Sequence, residues 1–463
     1  MPEMTWKEIA RLTGGTIVGA ASNRLVKDYH FDSRLATPDS LFFAMKSARD
    51  DGHRYVRQLP AAAGVGAVVA EHFNEHVPGI PLLRVGDPRQ AALALAAHVR
   101  QSLPETAFIA VTGSAGKTTT KEFIYQILSR QLSSFRSFMS WNNALGVPFS
   151  LLKMKGGERT AVFELAMSDP GIGEIDLLAG LLRPQVAVIL NVLPVHLEFL
   201  KSIDNVALAK AEILNHPQPG ATAFINGDMA LLREAVRRKD GWRKIFFGSR
   251  PEGNDVVLEE INPANGGLCF RVRCGRSVSD FAVPALASRV QVENLVPAIA
   301  VARHLGLAEA SIQDALAALE PIAGRGVVKH CRGFTIIDET YNSNPEALKK
   351  ALAWVDRDFA EPKIAVLGDM LELGEDELDY HRQVGCFLAG LGFSLLAVVG
   401  ERAHAIAAAA AGAGFAPQRI HRFAAAAEAG QFLRQAAPPR AAVLFKASRG
   451  VCLEKALSEF CRE

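Results

Sequence analysis

The sequence predicts an α/β protein of three domains, the second and third built on parallel sheets covered by helices. Three observations carry that expectation. At 463 residues the chain has room for roughly two to four domain-sized cores. From Thr106 onward, short apolar runs alternate with amphipathic, alanine-rich stretches, the rhythm of buried strands followed by covering helices. The rhythm breaks once, over residues 248–284, and restarts after Pro321 and the Gly324-Arg325-Gly326 turn.

Up to about Pro104 the apolar runs are short, as in Ala67-Val68-Val69-Ala70 and Leu82-Leu83-Arg84-Val85, and turn residues are frequent. Residues 1–104 are therefore read as a small α/β first domain. In the second, 105–321, buried strands are expected over 108–111, 161–165, 186–190 and 223–225. The interruption at 248–284 is rich in Gly, Asn, Val and Arg, and reads as antiparallel hairpins attached to the sheet. A helix is expected over 292–305, with Gly306 as its C-cap. The third domain, 322–463, resumes with strands over 334–337, 364–367, 395–399 and 442–445.

Composition excludes several classes. Hydrophobic residues at 49% and charged residues at 22% are ordinary globular values, and a net charge of +2 argues for neither a nucleic-acid nor a membrane surface. The six cysteines are scattered without a CxxC pair, so no metal cluster and no disulfide framework is expected, in keeping with a reducing compartment. The N-terminus lacks a basic start followed by an apolar stretch. The most apolar segments, such as 403–412, are too short to span a bilayer. A cytoplasmic protein with no membrane insertion is expected.

The strands end in a telling way. Val111 is followed by Thr112-Gly113, Phe163 by Glu164, Leu190 by Asn191, Ile337 by Asp338, Leu367 by Gly368-Asp369 and Phe445 by Lys446. Strands commonly end in polar turns, but open parallel sheets bind ligands beyond their carboxyl ends. Two such rows on two domains point to a site between them. The run Thr112-Gly113-Ser114-Ala115-Gly116-Lys117-Thr118 sits between a buried strand and a helix start. Its glycines let backbone N–H groups face phosphate oxygens, and the helix N-terminus adds partial positive charge. Lys117 would contact the terminal phosphates and the Thr118 hydroxyl would ligate magnesium. The loop is the short G-x-x-G-K-T form, since Val111 stands where the longer pattern has glycine. An ATP-using enzyme is expected. A triphosphate site needs hard oxygen ligands for Mg²⁺, and Glu164, His196 and Lys210 fall at successive positions around one sheet edge.

Taken in order, the loop, Asn142-Asn143-Ala144-Leu145-Gly146, Glu164-Leu165, Asn191 with His196, and Lys210-Ala211-Glu212-Ile213 resemble the Mur ligases. So do Gly324-Arg325, Asp338-Glu339-Thr340-Tyr341-Asn342-Ser343-Asn344-Pro345, Leu367-Gly368-Asp369-Met370, and Lys446-Ala447-Ser448-Arg449. Asp32-Ser33-Arg34 and Asp51-Gly52-His53 extend the likeness over nearly the whole chain. The branch most like it joins D-alanyl-D-alanine to UDP-N-acetylmuramoyl-tripeptide. The resemblance implies a UDP-sugar-binding N-terminal domain, a central P-loop-type ATPase domain and a Rossmann-like C-terminal ligase domain, acting as a monomer in peptidoglycan precursor synthesis.

It also implies roles residue by residue. Lys117 and Thr118 would hold the phosphates and a first Mg²⁺ with Glu164, and His196 a second. Lys210 aligns with the lysine that the family carbamylates. Asn143, with Asn142, would help hold the γ-phosphate, Asn294 would touch adenine, and Arg325 would reach phosphate from the third domain. Asp338 and Glu339 sit where the family contacts ribose. Ser33 and Arg34 would meet the uridine nucleotide, while Asn342, Asn344, Lys446 and Arg449 would line the substrate cleft. The sequence departs from the family at Val290, where a histidine is lost, at Glu339, the second acid of an Asp-Asp pair, at Ala447, and over 166–174.

Other readings separate on sequence. A folylpolyglutamate synthase begins near its ATP loop, whereas residues 1–104 precede this one. A sister Mur ligase adding another amine would not be expected to carry the Tyr341-Asn342-Ser343-Asn344-Pro345 run. An inactive nucleotide-binding relative would lack Lys117, Glu164 or Lys210, and all three are present.

Overall fold

A computed structural model describes residues 3–19, 23–47, 50–138, 140–167, 172–194, 197–264, 266–360 and 362–462, with Leu197 and Glu198 as backbone only. Three large sheets organise it. The first has five strands in the order Thr16–Val18, Leu82–Val85, Gly66–Ala70, Ser40–Phe43, Asp28–His30, parallel except for the first pair. Helix Pro88–Gln101, capped by Asp87 with Pro88 at its start, leads out of it.

The second sheet has nine strands, and its core is parallel: Ser134–Arg136, Thr160–Glu164, Ala107–Thr112, Val186–Ile189, Thr222–Asn226 and Arg243–Gly248. Four of them, Thr160–Glu164, Ala107–Thr112, Val186–Ile189 and Thr222–Asn226, read as near-continuous apolar runs because helices cover both faces. The expected hairpins are Val256–Ala264, Gly267–Cys274 and Ser277–Val283; the first joins the sheet parallel to Arg243–Gly248 and the next two pair antiparallel, with an irregularity between Leu258 and Ile261. The expected helix is Arg289–His304, starting earlier than its apolar pattern because Ser288 and Gln291 form a capping box.

The third sheet has six strands in the order Val327–Cys331, Phe334–Glu339, Ala442–Lys446, Lys363–Gly368, Leu395–Val399, Ile420–Phe423, parallel except for its first strand. Strands Arg243–Gly248 and Ile420–Phe423 escape sequence reading because they are only partly buried and carry Arg, Lys or His in place of an apolar run. Among the described residues, no helix is long and apolar enough to cross a membrane.

One expectation is corrected. Cys331 and Cys461 form a disulfide, leaving Cys269, Cys274, Cys386 and Cys452 free. The partners are 130 residues apart in sequence, so no local spacing betrays them. Packing of the last helix, Glu454–Cys461, against the antiparallel edge of the third sheet brings them together, and the Phe334 and Phe460 rings meet beside them at 5.0 Å, tilted by 59°.

A candidate active site between the central and third domains

Register places the polar strand ends of the central sheet in one row. Glu164 lies opposite Val111, and Ile189 opposite Thr112, so Thr112, Glu164 and Asn191 end at the same edge. From that edge the chain turns through Gly113 and Gly116, at φ 153° and 81°, into helix Lys117–Leu128. A Cβ on Gly113 would meet Leu190 Cβ at 2.9 Å, so the turn lies too close to the next strand for any side chain.

Neighbouring groups hold the loop in shape. The Asn191 carboxamide accepts from Ala115 N at 2.8 Å and donates to Ala115 O at 3.0 Å. Ser114 N donates to Asn191 O at 3.0 Å. Lys117 Nζ donates to Gly113 O at 2.9 Å. Burial lowers the pKa of its ammonium, against the opposing pull of Glu164. Thr118 Oγ1 donates to Glu164 Oε2 at 2.8 Å, and Asn142 Nδ2 donates to Glu164 Oε1 at 2.7 Å. Behind them Lys210 is only 1% exposed. Burial, then the nearby Lys117 charge, bring its pKa down to about 7, although Glu212, Glu174 and Glu164 pull the other way.

The third domain closes the site from the other side. Arg325 Nη2 donates to Thr118 Oγ1 at 3.2 Å, and its guanidinium lies 4.0 Å over the Tyr341 ring. Lys446 Nζ donates to Glu339 Oε2 at 2.9 Å and to Asn342 O at 3.1 Å. Between the two halves lies a cavity of about 640 Å³, within the range of small-molecule sites.

Most residues singled out from sequence converge on this cavity. Ser114, Ala115, Gly116, Lys117, Thr118, Glu164, Asn294, Arg325, Glu339, Asn342, Asn344, Lys446 and Arg449 all line it. Asn294 packs against Gly116 where any side chain would collide with it. Others sit elsewhere. Thr112 and Gly113 support the loop from beneath, Thr112 Oγ1 donating to Leu165 O at 2.8 Å. Asn143 turns its oxygen to Gly146 N at 2.8 Å and caps the following helix, so Asn142 is the residue facing Glu164. The Asp338 carboxylate accepts from Thr340 Oγ1 at 2.7 Å and from Lys329 Nζ at 3.1 Å, which leaves Glu339 as the cavity acid. Ser33 and Arg34 lie in the first domain, away from the cavity, with Arg34 Nη2 bonded to Asp32 Oδ2 at 2.6 Å. His196 lies outside the described residues. Sequence reading gave no role to Gln291, Ser140 or Tyr341, although Gln291 and Tyr341 lie within segments that resemble the family.

A phosphate loop with a carboxylate beside it, completed by an arginine from a second α/β domain, defines a multidomain ATP-dependent ligase. Residues 111–302 match the Mur ligase middle domain, and residues 324–449 the Mur ligase, glutamate ligase domain. The UDP-N-acetylmuramoyl-tripeptide–D-alanyl-D-alanine ligase of Bacillus subtilis (strain 168) is 31% identical over 99% of this chain and 98% of its own. A crystal structure of MurF from Acinetobacter baumannii superposes with a TM-score of 0.88 at 30% identity, covering all of both chains. MurF from Thermotoga maritima in complex with ADP gives a TM-score of 0.79 at 29% identity over 95% of this chain and 98% of its own. The chain belongs to the Mur ligase family, among the relatives named MurF.

Proposed function

We infer that the chain joins D-alanyl-D-alanine to UDP-N-acetylmuramoyl-tripeptide with ATP, in peptidoglycan precursor synthesis. One observation carries this reading most directly: Thr118 bonds Glu164 within the central domain and Arg325 across the cleft, so both domains meet on the phosphate loop. Relatives bearing that name align along the whole chain.

A carboxylate at neutral pH is a poor electrophile, so it must first be activated. Its oxygen attacks the γ-phosphorus of ATP; the new O–P bond forms as the bond to the β-phosphate oxygen breaks, giving ADP and an acyl phosphate. The dipeptide amine then attacks the acyl carbon, the C–N bond forms, the C–O bond breaks, phosphate leaves and the nitrogen loses a proton. Little covalent work falls to the protein, whose task is positioning and charge stabilisation. Ser114 to Thr118 cradle the phosphates, and Lys117 turns from the loop carbonyl to the terminal ones. Arg325 adds charge from the opposite face.

The Thr118 hydroxyl and Glu164 carboxylate are a hard-oxygen pair of the kind Mg²⁺ accepts when phosphates and waters complete its shell. They would hold a first ion, and His196 with carbamylated Lys210 a second. Bound there, the metal neutralises phosphoryl charge. Lys210 suits carbamylation because its lowered pKa supplies a neutral amine. The amine nitrogen bonds the carbon of CO₂, a proton departs, and an anion replaces a cation beside the metal. Asn294 serves the base and Glu339 the ribose. Asn142, with its neighbour Asn143 shaping the loop, faces the γ-phosphate; Asn342, Asn344, Lys446 and Arg449 face the substrates.

Domain roles follow as residues 1–104 with Ser33 and Arg34 for the uridine nucleotide, 105–321 for ATP, and 322–463 for the dipeptide side. A cytoplasmic monomer suits these nucleotide-linked substrates. Purified protein with ATP, Mg²⁺, the UDP-tripeptide and D-alanyl-D-alanine should release phosphate only when all are present. Undiminished steady turnover without the dipeptide would overturn the reading.

A further inference from the structure

Arg325 is the third domain's contact with the phosphate loop, and its backbone offers it little rigidity. It sits between Gly324 and Gly326, both left-handed at φ 72° and 78°. The conformation is imposed from two sides. Gln291 Nε2, from the first turn of helix Arg289–His304, donates to Arg325 O at 3.0 Å and to Gly326 O at 3.1 Å. Its Oε1 is meanwhile engaged by Ala287 N and Ser288 N. On the other side Tyr341 N donates to Gly324 O at 3.3 Å, and the Tyr341 ring supports the guanidinium. The Tyr341 hydroxyl then crosses the cleft to hydrogen-bond Ser140 Oγ. Ser140 belongs to the same loop as Asn142, which holds Glu164.

We propose that Tyr341 is a positioning residue that couples closure of the third domain to placement of Arg325: its ring aims the guanidinium at Thr118, and its hydroxyl latches onto Ser140 of the loop that orients Glu164. Ring and hydroxyl have separable tasks. The ring acts on the chemical step, because Arg325 contributes only where its charge meets the phosphoryl group. The hydroxyl acts on the equilibrium between open and closed forms, and so on apparent substrate affinity. The proposal rests on the ligase reading for its kinetic consequences, but not for the latch itself.

The test compares Tyr341→Phe, Ser140→Ala, the double variant and Tyr341→Leu, by steady-state kinetics with all three substrates and by small-angle scattering with and without ATP. Losing one hydrogen bond between polar groups should raise KM about fivefold, with kcat nearly unchanged, in Tyr341→Phe and in Ser140→Ala alike. The double variant should be no worse than either single one, because both remove the same interaction. Tyr341→Leu should lower kcat about a hundredfold with the fold intact by circular dichroism. In scattering, the two hydroxyl variants should be less compact than the parent chain. Additive hydroxyl losses, or Tyr341→Leu with parental kcat, would overturn the proposal. A parent chain inactive with these substrates would count against the ligase reading instead. The latch would then stand or fall on the scattering, where unchanged dimensions in Tyr341→Phe and Ser140→Ala refute it.

Discussion

The two boundaries of the central domain are built from different materials. Toward the first domain, one apolar core runs without a break from Trp6, Ile9 and Leu95 through Phe108, Phe149 and Phe163 to Trp242. Phe149 meets Phe31 at 4.9 Å and Phe43 at 5.2 Å, both edge-on. The Asp28 carboxyl pairs with Lys153 across the same boundary. Burial alone would raise its pKa, but hydrogen bonds from His30 and Lys153 hold it down to about 2. Toward the third domain the buried cores stay on their own sides, with partly buried Ala287 packing on the third domain's core and Ile322 on the central one. What crosses is polar: Gln291 to the hinge carbonyls, Arg325 to Thr118, Tyr341 to Ser140. A welded boundary holds a platform, whereas a polar one can open and close as substrates come and go.

The largest expected effect tests the weld. Phe149→Ala should cost about 3–5 kcal/mol of stability, because a fully buried ring leaves a cavity at the meeting of two domains. Chemical denaturation would show one transition moved to lower denaturant. If instead the first domain melted alone while the remainder was untouched, the shared core would not be the cooperative unit inferred here.

Arg325→Ala probes the other boundary and should divide the readouts in the opposite way. Removing one charge-bearing donor from a phosphoryl-transfer site lowers turnover about 10²–10³-fold. The melting temperature should stay within about 2 °C of the parent, since a half-buried arginine at a polar seam contributes little to the fold. A large fall in melting temperature would mean that the seam is structural, and the contrast between boundaries would collapse.

The same contrast explains what was readable in the sequence. Ser114 to Thr118, Glu164, Asn191 and Lys446 are legible because each ends or directly follows a buried parallel strand, and strand ends in one sheet share an edge by geometry. The core strands were legible for the same reason: burial on both faces demands an unbroken apolar run. Ser140 and Tyr341, 201 residues apart, carry no such mark, since their contact exists only once two domains dock. Asn142 and Asn143 were separable only by the direction of one turn, which decides which carboxamide caps a helix and which faces Glu164. In sequence Asp338 and Glu339 are equivalent acids; only the fold engages the Asp338 carboxylate with Thr340 and Lys329. Cys331 and Cys461 failed for distance alone.

The smallest expected effect separates the platform from the moving part through Lys210. This lysine sits in the central domain, 1% exposed, and the charges that shift it, Lys117, Glu212, Glu174 and Glu164, all belong to that domain. Its carbamate should therefore form whether or not the third domain closes. Burial favours the uncharged amine, so the pKa falls to about 7 and the neutral, CO₂-reactive fraction grows as pH rises through that value. From pH 6 to pH 8 that fraction increases about tenfold, worth roughly 1.4 kcal/mol. Protein stripped of CO₂ and returned to a fixed concentration of dissolved CO₂ should recover activity faster at pH 8 than at pH 6 by about that factor. Carbon-13 NMR with labelled bicarbonate should show the carbamate signal in the parent chain and equally in Arg325→Ala, but not in Lys210→Ala. Short carboxylic acids should restore part of the activity lost in Lys210→Ala by returning an anion to the emptied space. If Arg325→Ala lost the carbamate signal, closure of the third domain would be shaping the platform, and the two boundaries could no longer be treated as independent.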